Sequence, residues 1–591
     1  MKTLMQFFSV ITLGLFLLVL PADPSDNPDY RIPPPDLAQE PAFCQIIISE
    51  IMSDPTPSVL LPEAEYVELF NRGSAAINLE GWKLVFGNHE KILGAAILES
   101  ESYLIICDSG NENDFQAYGK ALTLPNMPAV VNTGQTLTLK SVSGAVIHSV
   151  TFSPDWFHSP SKSAGGWSLE IIDPDNPCGN ADNWSESSDP RGGSPGAQNS
   201  VKTGNPDKLP PSLLRATLPS DSSVMLLFNE SMDSSSLNSP WLYSASEGLL
   251  HPSAVNPAGP DYSAVLLTYP LRFQPAVRYT VTVLNSLKDC VGNALAGNSA
   301  ADFAIPQTPS TFDLIINEIL FDPVSGKSEF IELYNRSSKV LDLSDFTIAL
   351  ADLNTGEIVK MVPLNKNPFL IFPAGYVVIT REAKSLPDNG SLHYSPVIVE
   401  LSDLFTLPDE EGIIVLSDHA LHTMDEFRYH QSMHAGLFDR KEGISLERID
   451  CDLPTNMPEN WQSAATSAGY STPGRQNSQA VHQEHTGEEI ILQPETFSPD
   501  QDGVDDYMTL HLQFREPGWM ATIIIFDRHG NKIRNLSSKC LLGTEEYFTW
   551  DGFTDDQCMA DIGIYVVYVE IFRQTGEIKN FRKVITLARR L

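Results

Sequence analysis

The stretch Glu65-Tyr-Val-Glu-Leu-Phe-Asn-Arg72 recurs with similar residues as Glu329-Phe-Ile-Glu-Leu-Tyr-Asn-Arg336. Successive side chains of an extended chain point to opposite faces, so Glu68 shares one face with Tyr66 and Phe70. The repeat predicts a β-strand that occurs twice. A buried charge without a partner is costly, so the glutamate is expected to be paired locally or partly exposed.

The counterpart of Glu68 in the second stretch is Glu332. We expect a structural hydrogen-bonding role for both glutamates rather than catalysis, because perturbed carboxylates also occur in structural networks.

Further matches lie on both sides of these strands, in the same order. They pair Ile48–Pro55 with Ile316–Pro323, Ser168–Glu170 with Ser445–Glu447, Asn183–Trp184 with Asn460–Trp461, and Ser194–Ser200 with Thr472–Ser478. Each unit is about 155 to 165 residues long, which is too long for a solenoid repeat. We therefore interpret them as two copies of one domain, the first copy at 43–200 and the second copy at 312–478.

Both copies consist of short runs rich in Val, Ile, Leu, Tyr and Phe bounded by Gly, Pro, Asn and Asp, a pattern typical of strands. The Ile-x-Glu-Ile opening, the Glu-Leu-x-Asn strand, the late Ser-Leu-Glu, the Asn-Trp and the Ser/Thr-Pro-Gly-x-x-Asn close resemble bacterial lamin-tail domains. The resemblance implies immunoglobulin-like β-sandwiches without catalytic residues. It also implies an adhesive or positioning role beside exported enzymes and surface proteins.

The segment 205–307 differs from both copies. Its length and Pro-led alternating strands fit a seven-strand sandwich. The motifs Phe228-Asn-Glu-Ser-Met-Asp233 and Asp289-Cys-Val-Gly-Asn293 resemble immunoglobulin-like spacer domains of bacterial surface proteins. We expect both motifs to form tight turns between strands. The predicted fold class is therefore all-β, with tandem immunoglobulin-like β-sandwich domains.

The last domain, 490–591, begins Phe497-Ser-Pro-Asp500 and continues with Asp527-Arg-His-Gly530, Trp550-Asp-Gly552 and a final strand at Val584–Leu591. These features resemble the C-terminal domains of gliding-motility-associated proteins. The resemblance implies type IX secretion, in which the folded domain is an address that the outer-membrane secretion machinery recognises.

An acidic loop follows the start of this domain. Four aspartates surround Gly503: Asp500, Asp502, Asp505 and Asp506. Their hard oxygens could bind Ca²⁺, but on the EF-hand template position twelve is Thr509 and the bidentate glutamate is missing. The alternative is an acidic loop that caps the first strand. No other cofactor is expected.

Lys2 and the apolar run Leu4–Leu20 predict a cleaved signal peptide at 1–22, followed by an extended leader at 23–42. The alternative is an uncleaved membrane anchor. The mature chain is expected to be secreted or at the cell surface, with no transmembrane segment. With 38 basic and 75 acidic residues, its formal net charge of −37 argues against nucleic acids and anionic membranes as partners.

Seven cysteines are too scattered for a disulfide-stapled mini-domain. An oxidising compartment permits some pairs, and Cys540–Cys558 is the pair we expect. Cys107 lies in a buried-strand pattern, which predicts an inert core thiol.

Catalytic motifs such as HExxH and the P-loop do not occur in the sequence. The one histidine cluster comprises His419, His422, His430 and His434. The surrounding residues predict strands and loops, in which side chains at these spacings do not point to one metal ion. A structural or surface role is therefore expected. We predict a non-catalytic, adhesin-like protein that binds an unidentified extracellular protein or glycan. The alternatives are a hydrolase with its site in one copy, and a polysaccharide-binding protein that uses Trp156, Phe157 or Trp167.

Overall fold

The computed structural model of the chain describes residues 41–386, 397–436, 438, 440–481 and 489–589. The predicted signal peptide and residues 23–40 of the leader lie outside these residues. Within them, α-helix is limited to two four-residue segments, Glu112–Phe115 (α1) and Ser234–Leu237 (α2), which confirms the all-β class. None of the described helices is long and apolar enough to span a membrane.

The chain forms two compact units, and the first copy makes up one of them, with residues up to Pro174 and Asn180–Gly204. Its strands are β1 (Ile46–Met52), β2 (Tyr66–Asn71), β3 (Ile77–Asn78), β4 (Lys83–Phe86), β5 (His89–Ile92), β6 (Ile97–Leu98), β7 (Tyr103–Asp108), β8 (Ala121–Leu124), β9 (Gln135–Lys140), β10 (Val146–Phe152), β11 (Leu169–Ile171) and β12 (Trp184–Glu186). They form a six-stranded sheet, β12-β11-β1-β2-β7-β8, a four-stranded sheet, β10-β9-β4-β5, and the small pair β3-β6.

Every residue of β1 and β2 is buried, so both faces of the six-stranded sheet are covered at its centre. On one face Tyr66 and Cys107 belong to an apolar cluster with Phe115 of α1, whose ring centroid lies 5.2 Å from that of Tyr66. Burial raises the pKa of the Cys107 thiol to about 11, which confirms the predicted core thiol.

The second unit contains Asp175–Gly179 and the chain from Asn205 onward. Its first domain has the seven strands β13 (Leu213–Ser220), β14 (Ser223–Phe228), β15 (Tyr243–Ala245), β16 (Ala254–Ala258), β17 (Ala264–Thr268), β18 (Tyr279–Val283) and β19 (Ser299–Phe303). The sheets are β13-β14-β17-β16 and β15-β18-β19. Asp289 forms the expected turn, because its Oδ1 accepts hydrogen bonds from the N–H groups of Val291, Gly292 and Asn293.

The expected pairing of Cys540 with Cys558 is wrong. Both are free thiols, and the disulfide joins Cys178 to Cys290 across 112 residues of sequence. Pairing requires Cα atoms about 4.4 to 6.8 Å apart, and this pair meets that requirement at 6.4 Å. Closeness in the sequence, on which the Cys540–Cys558 prediction rested, does not bring two Cα atoms to this distance.

The second copy repeats the strand order of the first. Its strands are β20 (Leu314–Leu320), β21 (Phe330–Asn335), β22 (Leu341–Asp342), β23 (Phe346–Ala351), β24 (Ile358–Pro363), β25 (Leu370–Ile371), β26 (Tyr376–Thr380), β27 (Ile398–Glu400), β28 (Glu411–Asp418), β29 (Thr423–His430), β30 (Leu446–Arg448) and β31 (Trp461–Ser463). The sheets β27-β26-β21-β20-β30-β31 and β24-β23-β28-β29 match those of the first copy strand for strand, which confirms the duplication.

The last domain is a separate sandwich. Its strands are β32 (Glu489–Gln493), β33 (Thr496–Phe497), β34 (Met508–Gln513), β35 (Met520–Asp527), β36 (Lys532–Leu541), β37 (Glu545–Trp550), β38 (Gly563–Phe572) and β39 (Ile578–Leu587). A three-stranded sheet, β32-β34-β37, packs through a shared core against β33-β39-β38-β35-β36. Hydrogen bonds join this domain to the second copy, since the Ser478 carbonyl accepts from the Thr544 N–H at 2.9 Å.

One buried contact differs between the copies in chemistry but not in place. In the first copy the Ile48 N–H donates to His148 Nδ1 at 3.1 Å. In the second copy the corresponding N–H, of Ile316, donates to Asp425 Oδ2 at 2.8 Å. The negative charge of Asp425 has a partner, because Arg448 Nη2 lies 3.2 Å away and both side chains are buried.

The first copy has Ile171 in place of Arg448, so a histidine–isoleucine pair in one copy occupies the place of an aspartate–arginine pair in the other. We predict that Arg448→Ile alone lowers the free energy of unfolding by about 3–5 kcal/mol, because it leaves a buried carboxylate unpaired. Asp425→His combined with Arg448→Ile should cost only about 1–2 kcal/mol. Urea unfolding of the full chain measures both, and equal losses in the single and double variants would contradict this prediction.

Candidate functional site

Three glutamates stand side by side on neighbouring strands of the first copy. Glu50 on β1 is directly opposite Glu68 on β2 and Glu170 on β11. All three side chains are completely buried. We call this set the carboxylate row; in the second copy it comprises Glu318, Glu332 and Glu447, which have the same register.

The carboxylate row binds the last segment of each copy, which we call the closing segment. It comprises Ser194–Ser200 in the first copy and Thr472–Ser478 in the second. Glu50 Oε1 accepts hydrogen bonds from the Ser194 N–H at 2.8 Å, from the Ser168 hydroxyl at 2.7 Å and from the Tyr66 hydroxyl at 2.6 Å. Glu170 accepts from the Ser194 and Ser200 hydroxyls at 2.9 and 2.8 Å. Paired in this way, the carboxylates can be buried although they are polar.

Glu68 completes the arrangement by accepting the Gly196 N–H at 2.6 Å. Gly196 has φ +76°, and a Cβ there would lie 2.4 Å from the Tyr118 carbonyl oxygen, so the Pro-Gly step of the closing motif requires glycine. The Asn199 amide then donates to the carbonyls of Ser49 and Ile171, both at 2.9 Å, which ties the end of the segment to β1 and β11.

The second copy uses the same contacts with small changes. Glu318 Oε1 accepts the Thr472 N–H at 2.8 Å, and Glu332 accepts the Gly474 N–H. Glu447 accepts the Ser478 hydroxyl at 2.7 Å. The expected hydrogen-bonding role of Glu68 and Glu332 is therefore confirmed, with both glutamates paired and neither exposed.

Burial raises the pKa of the carboxyls of Glu50, Glu68, Glu318 and Glu332, and a neighbouring carboxylate adds to the effect. The pKa of Glu50 rises to about 7 and that of Glu318 to about 8, each through burial first and the adjacent Glu170 or Glu447 second. The pKa values of Glu68 and Glu332 are also well above normal, for the same two reasons.

The hydrogen bonds of the Thr472 hydroxyl require a proton on one of the glutamates in the carboxylate row of the second copy. Its hydroxyl oxygen lies 3.0 Å from Glu318 Oε2 and 2.8 Å from Glu447 Oε1, yet a hydroxyl has one hydrogen to donate. A protonated Glu318 satisfies all three groups, because it donates to the hydroxyl, which donates to Glu447. The row binds the closing segment and has no exposed surface.

The histidine cluster does not converge. His434 is buried, with Nδ1 3.0 Å from the Ser463 hydroxyl, and burial lowers its pKa to about 4. His419, His422 and His430 are exposed. In the described part of the chain, no group of three or more potential ligands within 4.8 Å of one another includes a histidine.

Of the aromatic residues suggested for a polysaccharide platform, Trp156 is not available to a ligand, whereas Phe157 and Trp167 are partly exposed. Trp156 is buried, with its ring centroid 5.8 Å from that of Trp184, because β10 is followed by a turn that folds the side chain inward. Trp167 is half-buried and lies under the Lys162 ammonium at 4.3 Å. This alternative is wrong for Trp156.

The acidic loop brings together three of its four aspartates. Ligand oxygens of Asp500, Asp502 and Asp506 lie within 4.8 Å of one another. Asp506 also accepts the N–H groups of Gln501 and Gly503, at 2.6 and 2.9 Å. Asp505 is outside this group and instead accepts the Ser498 N–H through its carbonyl oxygen.

Comparison with known proteins agrees with this architecture. Residues 39–154 and 307–431 match the Lamin Tail Domain family, and residues 208–305 match the Bacterial Ig-like domain family. The chain therefore contains two lamin-tail domains and a bacterial immunoglobulin-like domain, which confirms the tandem immunoglobulin-like sandwiches. This content fits a structural role in a surface or secreted protein.

No curated protein matches the chain. Among solved structures, it resembles the N-terminal part of the bacterial S-layer protein SbsC, with 12% identity over 38% of this chain and 44% of that chain and a TM-score of 0.17. It also resembles dimeric latent PorU from Porphyromonas gingivalis, with 11% identity over 69% of this chain and 35% of that chain and a TM-score of 0.15. The chain spans less than half the length of either.

We predict that the carboxylate row of the second copy contributes less to the free energy of unfolding as pH rises. Glu318 has a folded-state pKa of about 8 against about 4.5 when unfolded, so its contribution to stability is complete below pH 4.5 and is lost as pH rises through 8. Glu318→Gln mimics the protonated form, and its free energy of unfolding should exceed that of the wild type by about 2–4 kcal/mol at pH 9 but not at pH 5.

Hydrogen exchange of peptides covering 470–478 provides a local measurement, because the Thr472 N–H donates to this carboxyl. At pH 9 these peptides should exchange more slowly in Glu318→Gln than in the wild type. Identical pH dependence of the variant and the wild type would show that Glu318 does not carry the proton.

Proposed function

We propose that the chain is an exported, non-catalytic protein of the cell surface or extracellular medium, with an adhesin-like structural or binding role. The observation that supports this most directly is that the residues shared by the two copies are used internally. Glu50, Glu68 and Glu170 have no exposed surface, and the closing segment occupies their oxygen atoms. A catalytic carboxylate must instead reach its substrate.

The proposed route of delivery is type IX secretion through residues 490–591. The sequence resemblance to gliding-motility-associated C-terminal domains supports this proposal, as does the domain's own compact core, which meets the second copy at a small apolar cluster of Ala435, Met520 and Leu541. The partners would be the outer-membrane secretion machinery during export and an extracellular protein or glycan afterwards.

Transplantation tests the secretion proposal without disturbing the second copy. We predict that a reporter with residues 1–22 at its N terminus and 489–591 at its C terminus reaches the cell surface or medium of a type IX-competent bacterium. The matched control carries 205–307 in place of the last domain and should remain in the periplasm. Periplasmic retention of both reporters would overturn the sorting role.

We also propose that the acidic loop binds Ca²⁺, which is supported by the convergence of Asp500, Asp502 and Asp506. Oxygen ligands around a turn suit this hard cation. We predict that millimolar Ca²⁺ raises the melting temperature of the wild-type chain but not that of Asp500→Asn/Asp502→Asn. The control variant Asp352→Asn changes a partly exposed aspartate in another loop and should keep the response. No shift in the wild type would reject calcium binding.

A further inference from the structure

The three-stranded sheet of the last domain has two faces of opposite character. Met508, Leu510 and Leu512 of β34 point into the core and are completely buried. The alternate residues form the other face with those of β37, and the six that matter here are Tyr507, Thr509, His511, Gln513, Glu545 and Tyr547. We call this surface the tyrosine face.

Both tyrosines are unusually exposed for large aromatic side chains. Tyr507 is 56% exposed and Tyr547 is 58% exposed. Tyr547 is nevertheless held in place: the His511 ring stacks on it at 4.2 Å with an interplanar angle of 5°. Its hydroxyl donates to Glu545 Oε1 at 2.9 Å, and His511 Nε2 lies 2.8 Å from the same oxygen. Such preorganisation reduces the entropy lost when a ligand binds.

A hollow of about 540 Å³ adjoins the face, between it and the acidic loop. Tyr507 and Thr509 line it, together with Gln493, Pro494 and Asp506. Tyr507 immediately precedes β34 and lies four residue steps before His511, which places the two aromatic positions at most about 13 Å apart. The surface therefore presents aromatic rings and hydrogen-bonding side chains beside a hollow.

We infer that the tyrosine face binds a neutral polysaccharide. The C–H face of a sugar ring is apolar and flat and suits the exposed aromatic rings, while its hydroxyls suit the carboxylate of Glu545 and the amide of Gln513. Glu545, Asp505 and Asp506 repel anionic chains, which excludes uronate-rich polymers. Two separated exposed rings suit an extended chain that contacts both, whereas a compact ligand would reach only one of them.

This inference is independent of the secretion route, because it concerns the purified protein. The experiment is affinity electrophoresis of residues 23–591 through gels that contain barley β-glucan, galactomannan or arabinoxylan, with alginate as the anionic comparison. At least one neutral polymer should retard the wild type. Tyr507→Ala/Tyr547→Ala should weaken the apparent affinity by about tenfold or more.

Trp241 supplies a matched control, because it is also an exposed aromatic residue (71%) that contacts a histidine, at 4.6 Å from His251. Trp241→Ala should bind like the wild type. Thr549→Arg places a bulky side chain beside Tyr547 without touching the core and should also block binding, which covers the case in which the double variant fails to fold. Retardation by alginate alone, no retardation by any neutral polymer, or equal binding by the wild type and Thr549→Arg would overturn the inference.

Discussion

Each lamin-tail copy depends on a row of buried carboxylates that satisfy the backbone of its closing segment. Burying three glutamates is costly, and the cost is offset only because serine, threonine and tyrosine hydroxyls and backbone N–H groups converge on them. The closing segment in turn finds its acceptors only on the completed sheet. The opening strand and the Glu-Leu strand therefore depend on the closing motif, which lies more than a hundred residues further along the chain, and it depends on them.

The row also explains where each domain ends. The matched family segments stop at residues 154 and 431, but β11 and β30 lie beyond them and contribute Glu170 and Glu447 to the row. Without these strands Glu50 and Glu318 would lose a neighbour and the closing segment would lose its anchor. Physically, each sandwich extends to its Pro-Gly-x-x-Asn motif.

The two copies show how one fold accommodates different chemistry. His148 and Ile171 in the first copy correspond to Asp425 and Arg448 in the second, and both pairs provide an acceptor for the same backbone N–H. The exchange is possible because it keeps charge and hydrogen bonding balanced inside the core. The second copy adds a link that follows from its closing segment, since Ser478 serves both Glu447 and the last domain.

Alternation and repetition are local features of the sequence, so they were sufficient to predict four properties. These are the all-β class, the duplication, the core thiol at Cys107 and the structural role of Glu68 and Glu332. The tertiary structure was needed to show that Glu50 and Glu170 lie beside Glu68, that Cys178 pairs with Cys290 and that Trp156 faces the core. Strand register and disulfide geometry are set by contacts between distant segments, and the order of residues along a strand does not specify its neighbour. For the same reason, the tyrosine face became visible only when β34 and β37 were placed side by side.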